Sequence, residues 1–308
     1  MKQNHFSENI LEINNLKKTY KSKEIVEVLK GVSLNIERNS VIGLIGDNGA
    51  GKTTLIKCIC GLVEPSEGEI IFDGVDTARN EAYIRNNVGV LLEGARNLYN
   101  FLSVDYNLNY FGYLNNLEQK EIDGRKERLL KEFELEKYRN QPVNELSRGT
   151  QQKVAMMVTL MKNPELLILD EPTLGLDLIS TIRMIELLKR IINTEGKTVI
   201  IISHDMTLIT SLCKRTIYLK NGKVEFDEKI ESIINTNYFQ VKIKCNENTS
   251  RIFIENKISY VLEEGIATVE TCELERVLNL FSADDVISIE KQLNTLEMYI
   301  KERLESNL

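Results

Sequence analysis

Apolar and polar residues follow two rhythms along this chain. In "ILEINNL" (10–16) and "GVSLNIE" (31–37) they alternate, which predicts half-buried strands, and "NSVIGLIG" (39–46) is a short apolar run ending at glycine, as a buried strand would. "KTTLIKCICGL" then carries apolar residues at helical spacing and predicts a helix that stops at Gly61. From Gly89 to Leu160 the pattern is mostly helical, and "RKERLLKEFELEKY" sets Leu129, Leu130 and Phe133 on one face among charges. "ELLILD" and "KTVIIISHD" are continuous apolar runs with polar flanks, the signature of parallel strands buried on both faces. Between them Ile182, Ile185, Leu188 and Ile192 keep a helical period, and this alternation of strands with helices predicts a mostly parallel α/β sheet.

Beyond about Lys223 the rhythm changes. "FQVKIKC" and "RIFIEN" alternate as strands do, "LERVLNLF" is helical, "VISIE" is a further strand, and "NTLEMYIKERLESNL" closes the chain with Asn294 as a candidate helix cap for Glu297. Residues 8–226 are expected to form the main domain, with a helical subdomain near 90–162, and residues 228–308 a small α+β domain.

Composition narrows the class. With 308 residues the chain exceeds what one core usually holds, and its 42% apolar and 28% charged residues are those of an ordinary globular protein. A formal charge of -7 disfavours non-specific nucleic-acid binding, which needs clustered Lys and Arg, so no nucleic acid is expected as partner. The five cysteines lack any C-x-x-C spacing and read as small buried hydrophobes in a reducing compartment. "MKQNHFSENILEI" has no apolar core of a signal peptide, and no segment approaches the ~18 apolar residues of a membrane span.

The chemistry enters at "GDNGAGKTT" (46–54). Gly46, Gly51, Lys52 and Thr53 fit G-x-x-x-x-G-K-[ST], a loop whose backbone N–H groups cradle phosphates while lysine reaches the β/γ oxygens and the hydroxyl ligates Mg²⁺. Asp47, Asn48, Gly49, Ala50 and Thr54 complete the cradle, and the helix that follows points its positive end at the same anion. In "LLILDEPT" an apolar strand ends in Asp170 and Glu171, which offers one carboxylate to the metal and the next to an attacking water.

"LSRGTQQK" lies upstream of that strand, "LGLD" just downstream, and a histidine closes the next strand in "IISHD". In this order the motifs over residues 8–226 resemble the ATP-binding subunit of ATP-binding cassette (ABC) transporters. The resemblance implies a P-loop NTPase core of α/β class: a mostly parallel sheet, an antiparallel β subdomain and a helical subdomain. It implies ATP and Mg²⁺ as ligands and a head-to-tail homodimer in which each ATP lies between one chain's phosphate loop and the other's signature motif. Ser147 and the Gly149 backbone would then meet the partner's γ-phosphate, Glu171 would be the general base, Asp170 and Thr53 would hold Mg²⁺, and His204 would touch the γ-phosphate. Asp177 would link the two sites, and Tyr20 matches the adenine-stacking position, against the plain alternative of a turn tyrosine.

Three stretches depart from the family or extend it. Arg148 and Thr150 interrupt the usual L-S-G-G-Q, and Glu93 in "VGVLLEGARNLY" stands where the family carries a glutamine that contacts metal and water. Glu93 is therefore a candidate metal sensor, although its charge adds to that of a triphosphate. "LYNFLSVDYNLNYFGYL" resembles the surface on which exporter permeases dock, and its Tyr99, Phe101, Tyr106, Tyr110, Phe111 and Tyr113 either form that surface or pack the subdomain's own core. The C-terminal stretch resembles the accessory domain of drug- and antibiotic-exporter ATPases.

The expected function is thus a cytoplasmic ATPase subunit, peripheral on the inner face of the cell membrane, that powers export of a drug, antibiotic, peptide or lipid-like substrate through a separately encoded transmembrane permease. The alternative is a non-transport relative acting on a macromolecule. It is disfavoured because too few residues separate Lys52 from Ser147 to hold the coiled coil of DNA-repair relatives, and translation-factor relatives carry two phosphate loops where this chain has one. A P-loop kinase or GTPase would leave the signature and His204 unexplained.

Overall fold

Two long strands open the chain in the computed structural model, which describes residues 8–21, 25–92, 97–234, 237–256, 258–271, 273–293 and 295–305. The strands are β1 (Asn9–Lys21) and β2 (Ile25–Glu37), longer than the alternating stretches that predict them. Then come the fully buried β3 (Val41–Gly46), α1 (Lys52–Ile59), β4 (Glu67–Phe72), β5 (Val75–Asp76), α2 (Glu81–Asn87) and β6 (Val88–Leu91). The helical stretch comprises α3 (Val104–Leu114), α4 (Gln119–Glu132) and α5 (Arg148–Leu160). The chain continues with β7 (Leu166–Asp170), α6 (Leu178–Glu195), β8 (Thr198–Ile202), α7 (Met206–Leu212), β9 (Arg215–Lys220) and β10 (Lys223–Lys229).

These strands make two sheets. An antiparallel one runs β2-β1-β4-β5, with Leu11 paired to Phe72 and Ile13 to Ile70, all four buried. A six-stranded one runs β10-β9-β3-β8-β7-β6, and its β9-β3-β8-β7-β6 pairs are all parallel. Its last hairpin turns at Asn221 and Gly222, both with positive φ, as a two-residue turn between right-twisted strands requires. β8 lies between β3 and β7, so three strand ends distant in sequence share one edge, where ligands bind in open α/β sheets.

Chain contacts separate two compact units, Met1–Asp227 and Glu228–Leu308. The second contains α8 (Ile230–Ile234), β11 (Asn237–Lys244), α9 (Glu247–Glu255), β12 (Val261–Glu263), β13 (Ile266–Thr271), α10 (Leu274–Leu278), β14 (Val286–Leu293) and α11 (Leu296–Glu305). From β11 to β14 the elements run β-α-β-β-α-β in an antiparallel sheet of order β12-β13-β11-β14, which is the split βαβ, or ferredoxin-like, arrangement. Val241, Ile243, Phe253, Ala267, Val269, Val277 and Phe281 form its core.

One sequence expectation is corrected here. "RIFIEN" belongs to α9, not to a strand: Asn246 accepts from the Thr249 N–H while the Thr249 hydroxyl accepts from the Asn246 N–H, and this reciprocal cap starts a helix that buries Thr249 and Phe253 on one face and exposes Ile254. The helical period of Ile182, Ile185, Leu188 and Ile192 is realised in α6, where Leu188 is buried together with Met184, Leu187 and Ile191, while Ile182 is exposed. Asn294 lies outside the described residues; the Thr295 hydroxyl accepts from the Met298 N–H at 3.2 Å at the start of α11. Among the described residues no helix is long and apolar enough to cross a membrane.

Candidate nucleotide site

The loop 46–51 leaves β3 and enters α1 in a path that ordinary residues cannot follow. Gly46, Gly49 and Gly51 all have positive φ, and a Cβ on Gly46 would sit 2.1 Å from the Leu219 carbonyl oxygen. Glycine is therefore required there by backbone contact as well as by conformation. The turn between β9 and β10 braces the loop: the Gly222 N–H donates to the Ala50 carbonyl at 3.0 Å. Asn48, Gly49 and Thr53 are exposed, Thr54 is half-buried and Ala50 is buried.

Lys52, the first residue of α1, turns its ammonium back onto the loop and donates to the carbonyls of Gly46 and Asp47, at 2.5 and 3.0 Å. Burial pushes this ammonium below the ordinary lysine range, while the carboxylates of Asp47, Glu171 and Asp170 favour its charge. Asp47 has a partner the sequence did not suggest: the phenol of Tyr218 on β9 donates to its Oδ1 at 2.8 Å. Tyr218 is buried and stacks on Phe226 with ring centroids 5.2 Å apart. Burial first, and then this bond, push its phenol upward, so it stays a donor.

Asp170 ends β7 and pairs in register with Ile202 at the end of β8. Glu171 follows in the left-handed region, φ 47°, with its N–H held by the Ile202 carbonyl at 2.8 Å. This turn points its carboxylate at the residues after β8. Oε2 accepts from the Ser203 hydroxyl at 2.8 Å, Oε1 accepts from the His204 N–H at 3.0 Å, and the His204 Nε2 lies 3.9 Å from Oε1. The Glu171 side chain is 15% exposed and that of His204 58%.

A second group forms at the starts of α5 and α6. Ser147 caps α5, accepting from the Thr150 N–H at 3.3 Å, and its hydroxyl lies 2.9 Å from that of Thr150. Asp177 caps α6, accepting from the Ser180 N–H and hydroxyl, both at 2.9 Å, and these donors, the backbone one foremost, hold its carboxyl below the usual range. Gly149 faces Ser180 and Leu176, and Arg148 faces Gly175, so the signature stretch and the "LGLD" turn are neighbours within one chain. Among the described residues no hydrogen bond or ion pair joins Ser147 to the phosphate loop. Tyr20 lies near the end of β1, partly exposed, with the Lys18 ammonium 5.2 Å from its ring centroid. Glu93 lies outside the described residues.

Arranged this way, the strand edge can bind a polyphosphate through loop N–H groups and lysine, and it can present a carboxylate to a water. The residues suit Mg²⁺ as well, because the Thr53 hydroxyl and the Asp170 carboxylate are the hard oxygen donors that ion prefers. Sequence reasoning missed Ser203 and Tyr218, whose partners are set by strand neighbours and by no local motif.

A family model described as "ABC transporter" matches residues 29–174. The ABC transporter ATP-binding protein NatA of Bacillus subtilis (strain 168) is 39% identical over 211 residues, spanning 68% of this chain and 85% of NatA. An uncharacterized ABC transporter ATP-binding protein of Methanocaldococcus jannaschii, MJ1023, is 30% identical over 295 residues, 95% of this chain and 98% of its own, so the match extends into the second unit. Among solved structures, the ATP-binding cassette MJ0796 of the same organism, a dimer in a post-hydrolysis state bound to ADP and Pi, superposes with a TM-score of 0.64 at 32% identity over 71% of this chain and 98% of that one. Likeness of this extent in both sequence and fold, with the family model spanning the phosphate loop and the Asp170–Glu171 pair, makes the chain a member of the ABC transporter ATP-binding proteins, a family of ATPases.

Proposed function

We propose that two copies of this chain clamp two ATP molecules head to tail and that hydrolysis drives export through a separate membrane-spanning permease. One observation carries the reading: Lys52, Asp170 and Glu171 gather at one sheet edge, while Ser147 and Asp177 cap helices in a separate group, exposed to solvent. A phosphate contact from Ser147 then calls for a second copy. The dimeric form of MJ0796 bound to ADP and Pi supports that arrangement.

In this reading the loop N–H groups and Lys52 hold the β- and γ-phosphates, Tyr20 stacks on adenine, and Ser147 with the Gly149 backbone reaches the partner's γ-phosphate. Bound Mg²⁺, held by Thr53 and Asp170, would neutralise charge on the triphosphate. Glu171 accepts a proton from water as the water oxygen attacks the γ-phosphorus; the bond to the bridging oxygen breaks and ADP leaves. His204 steadies the γ-phosphate and Asp177 couples the two sites. Phe111 is half-buried and packs against Tyr99 and Tyr110, whereas Tyr99, Phe101, Tyr106, Tyr110 and Tyr113 are exposed, which favours a docking surface for the permease at those five. Through that contact the subunit sits on the cytoplasmic face of the membrane. Export, of a drug, antibiotic, peptide or lipid-like cargo, is assigned from the C-terminal stretch that resembles exporter accessory domains.

Glu171→Gln should bind ATP, accumulate as a dimer on size-exclusion chromatography and lose turnover. Hydrolysis at the parental rate would sink the assignment of the base. For direction, vesicles with the ATPase on the outside should accumulate cargo when ATP is added; ATP-driven loss from the lumen would reverse the assignment.

A further inference from the structure

We infer that Ser203 is a positioning residue for ATP hydrolysis: its hydroxyl, together with the His204 N–H, locks the Glu171 carboxylate in the orientation that faces the attacking water. The inference rests on Glu171 as the base.

The direction of the Ser203 proton follows from its partners. The Asp205 N–H can only donate, and it donates to the Ser203 Oγ at 3.1 Å. The one hydroxyl proton is then free for Glu171 Oε2, 2.8 Å away. The other carboxylate oxygen takes the His204 N–H at 3.0 Å. Two donors on two oxygens stop the carboxylate from rotating about its last bond, which a single donor does not. Each oxygen keeps lone-pair capacity for a water.

The parts of this hold are rigid. Ser203 is 2% exposed and follows β8, whose five residues are all buried. Asp205 caps α7, accepting from the N–H groups of Thr207 and Leu208, so the backbone behind Ser203 is pinned from both sides. The β7–β8 register, Asp170 beside Ile202, sets Glu171 beside Ser203. His204 contributes its main chain, which substitution of its side chain leaves in place. Ser203 therefore supplies the side-chain half of the hold, and no motif in the sequence singles it out.

Ser203→Ala removes the donor with almost no change in volume. It is expected to lower kcat by about 10- to 100-fold, the scale of loss when a reacting group loses its orientation, with KM for ATP within about twofold of the parent. Ser203→Thr, which keeps a hydroxyl, is expected to recover most of the loss, and Ser203→Cys, a weak donor of similar shape, to fall between. In the Glu171→Gln background, Ser203→Ala should still give the ATP-dependent dimer. Turnover of Ser203→Ala at the parental rate beside an inactive Glu171→Gln would overturn this inference and leave the base assignment standing. Loss of the ATP-dependent dimer, or failure of all three single variants to fold, would also overturn it, by making Ser203 a structural residue. If Glu171→Gln itself turns over, the base assignment falls first.

Discussion

Asp47 shows how one residue's chemistry depends on a distant neighbour. A carboxylate in a phosphate loop adds repulsion toward a triphosphate, yet here one of its oxygens is tied to the Tyr218 phenol, which draws the side chain to β9. Tyr218→Phe keeps the stack on Phe226 and deletes only that bond. With a net hydrogen-bond contribution of about 1 kcal/mol, ATP affinity should fall roughly fivefold in a nucleotide titration. Equal affinity in parent and variant would mean that the bond does not shape the loop. The glycines of this loop were legible from the motif, since their need is local; Ser203 and Tyr218 were not, since each acquires its role from a partner on another strand. Glu171 is similar: its place after an apolar strand was readable, whereas the left-handed turn that aims it appears only once β8 is beside β7.

At the level of elements, buried polar groups organise what hydrophobic periodicity leaves open. Asn107 of α3 is fully buried, and its amide is satisfied by the loop before the helix: it accepts from the Tyr99 N–H at 2.9 Å and donates toward the carbonyls of Tyr99, Leu102 and Ser103. One side chain thus shapes the turn that presents Tyr99, Phe101 and Leu102. Asn107→Ala leaves the Tyr99 N–H without its acceptor, while the three carbonyls keep the backbone donors Leu102, Val143 and residue 107 itself, so about 1.5 kcal/mol of stability should be lost in urea unfolding. A loss under about 0.5 kcal/mol, the range of an ordinary surface change, would show that the loop holds itself. Periodicity failed where apolar runs are short. The three apolar residues of "RIFIEN" suit either a strand or a helix, and the cap at Asn246 and Thr249 decides for α9. In α6, helical spacing was visible, but several overlapping stripes of isoleucine and leucine satisfy it, and only the packed neighbours select Met184, Leu187, Leu188 and Ile191.

For the molecule as a whole, Phe101 and Tyr106 of the helical stretch are 86% and 67% exposed, whereas Tyr99 and Tyr110 pack against each other and against Phe111. Phe101→Glu should leave basal ATPase activity at the parental level and reduce recovery of the permease in a co-purification by tenfold or so, the scale of one interface anchor worth about 1.4 kcal/mol. Undiminished recovery would remove this face from the interface. The division of labour between chain and fold follows from the range of the forces. Glycine conformation, alternation, helical period and the phosphate-loop spacing act over a few residues, so the strand–loop–helix around Lys52, the buried strand ahead of Asp170 and the mostly parallel sheet could be read directly from the letters. The order β3-β8-β7, the register that sets Glu171 beside Ser203, the tether from Tyr218 to Asp47 and the split βαβ of the second unit depend on which strands become neighbours. Strand pairing between distant segments is decided by the burial of the entire sheet, a collective quantity that no short stretch of sequence contains.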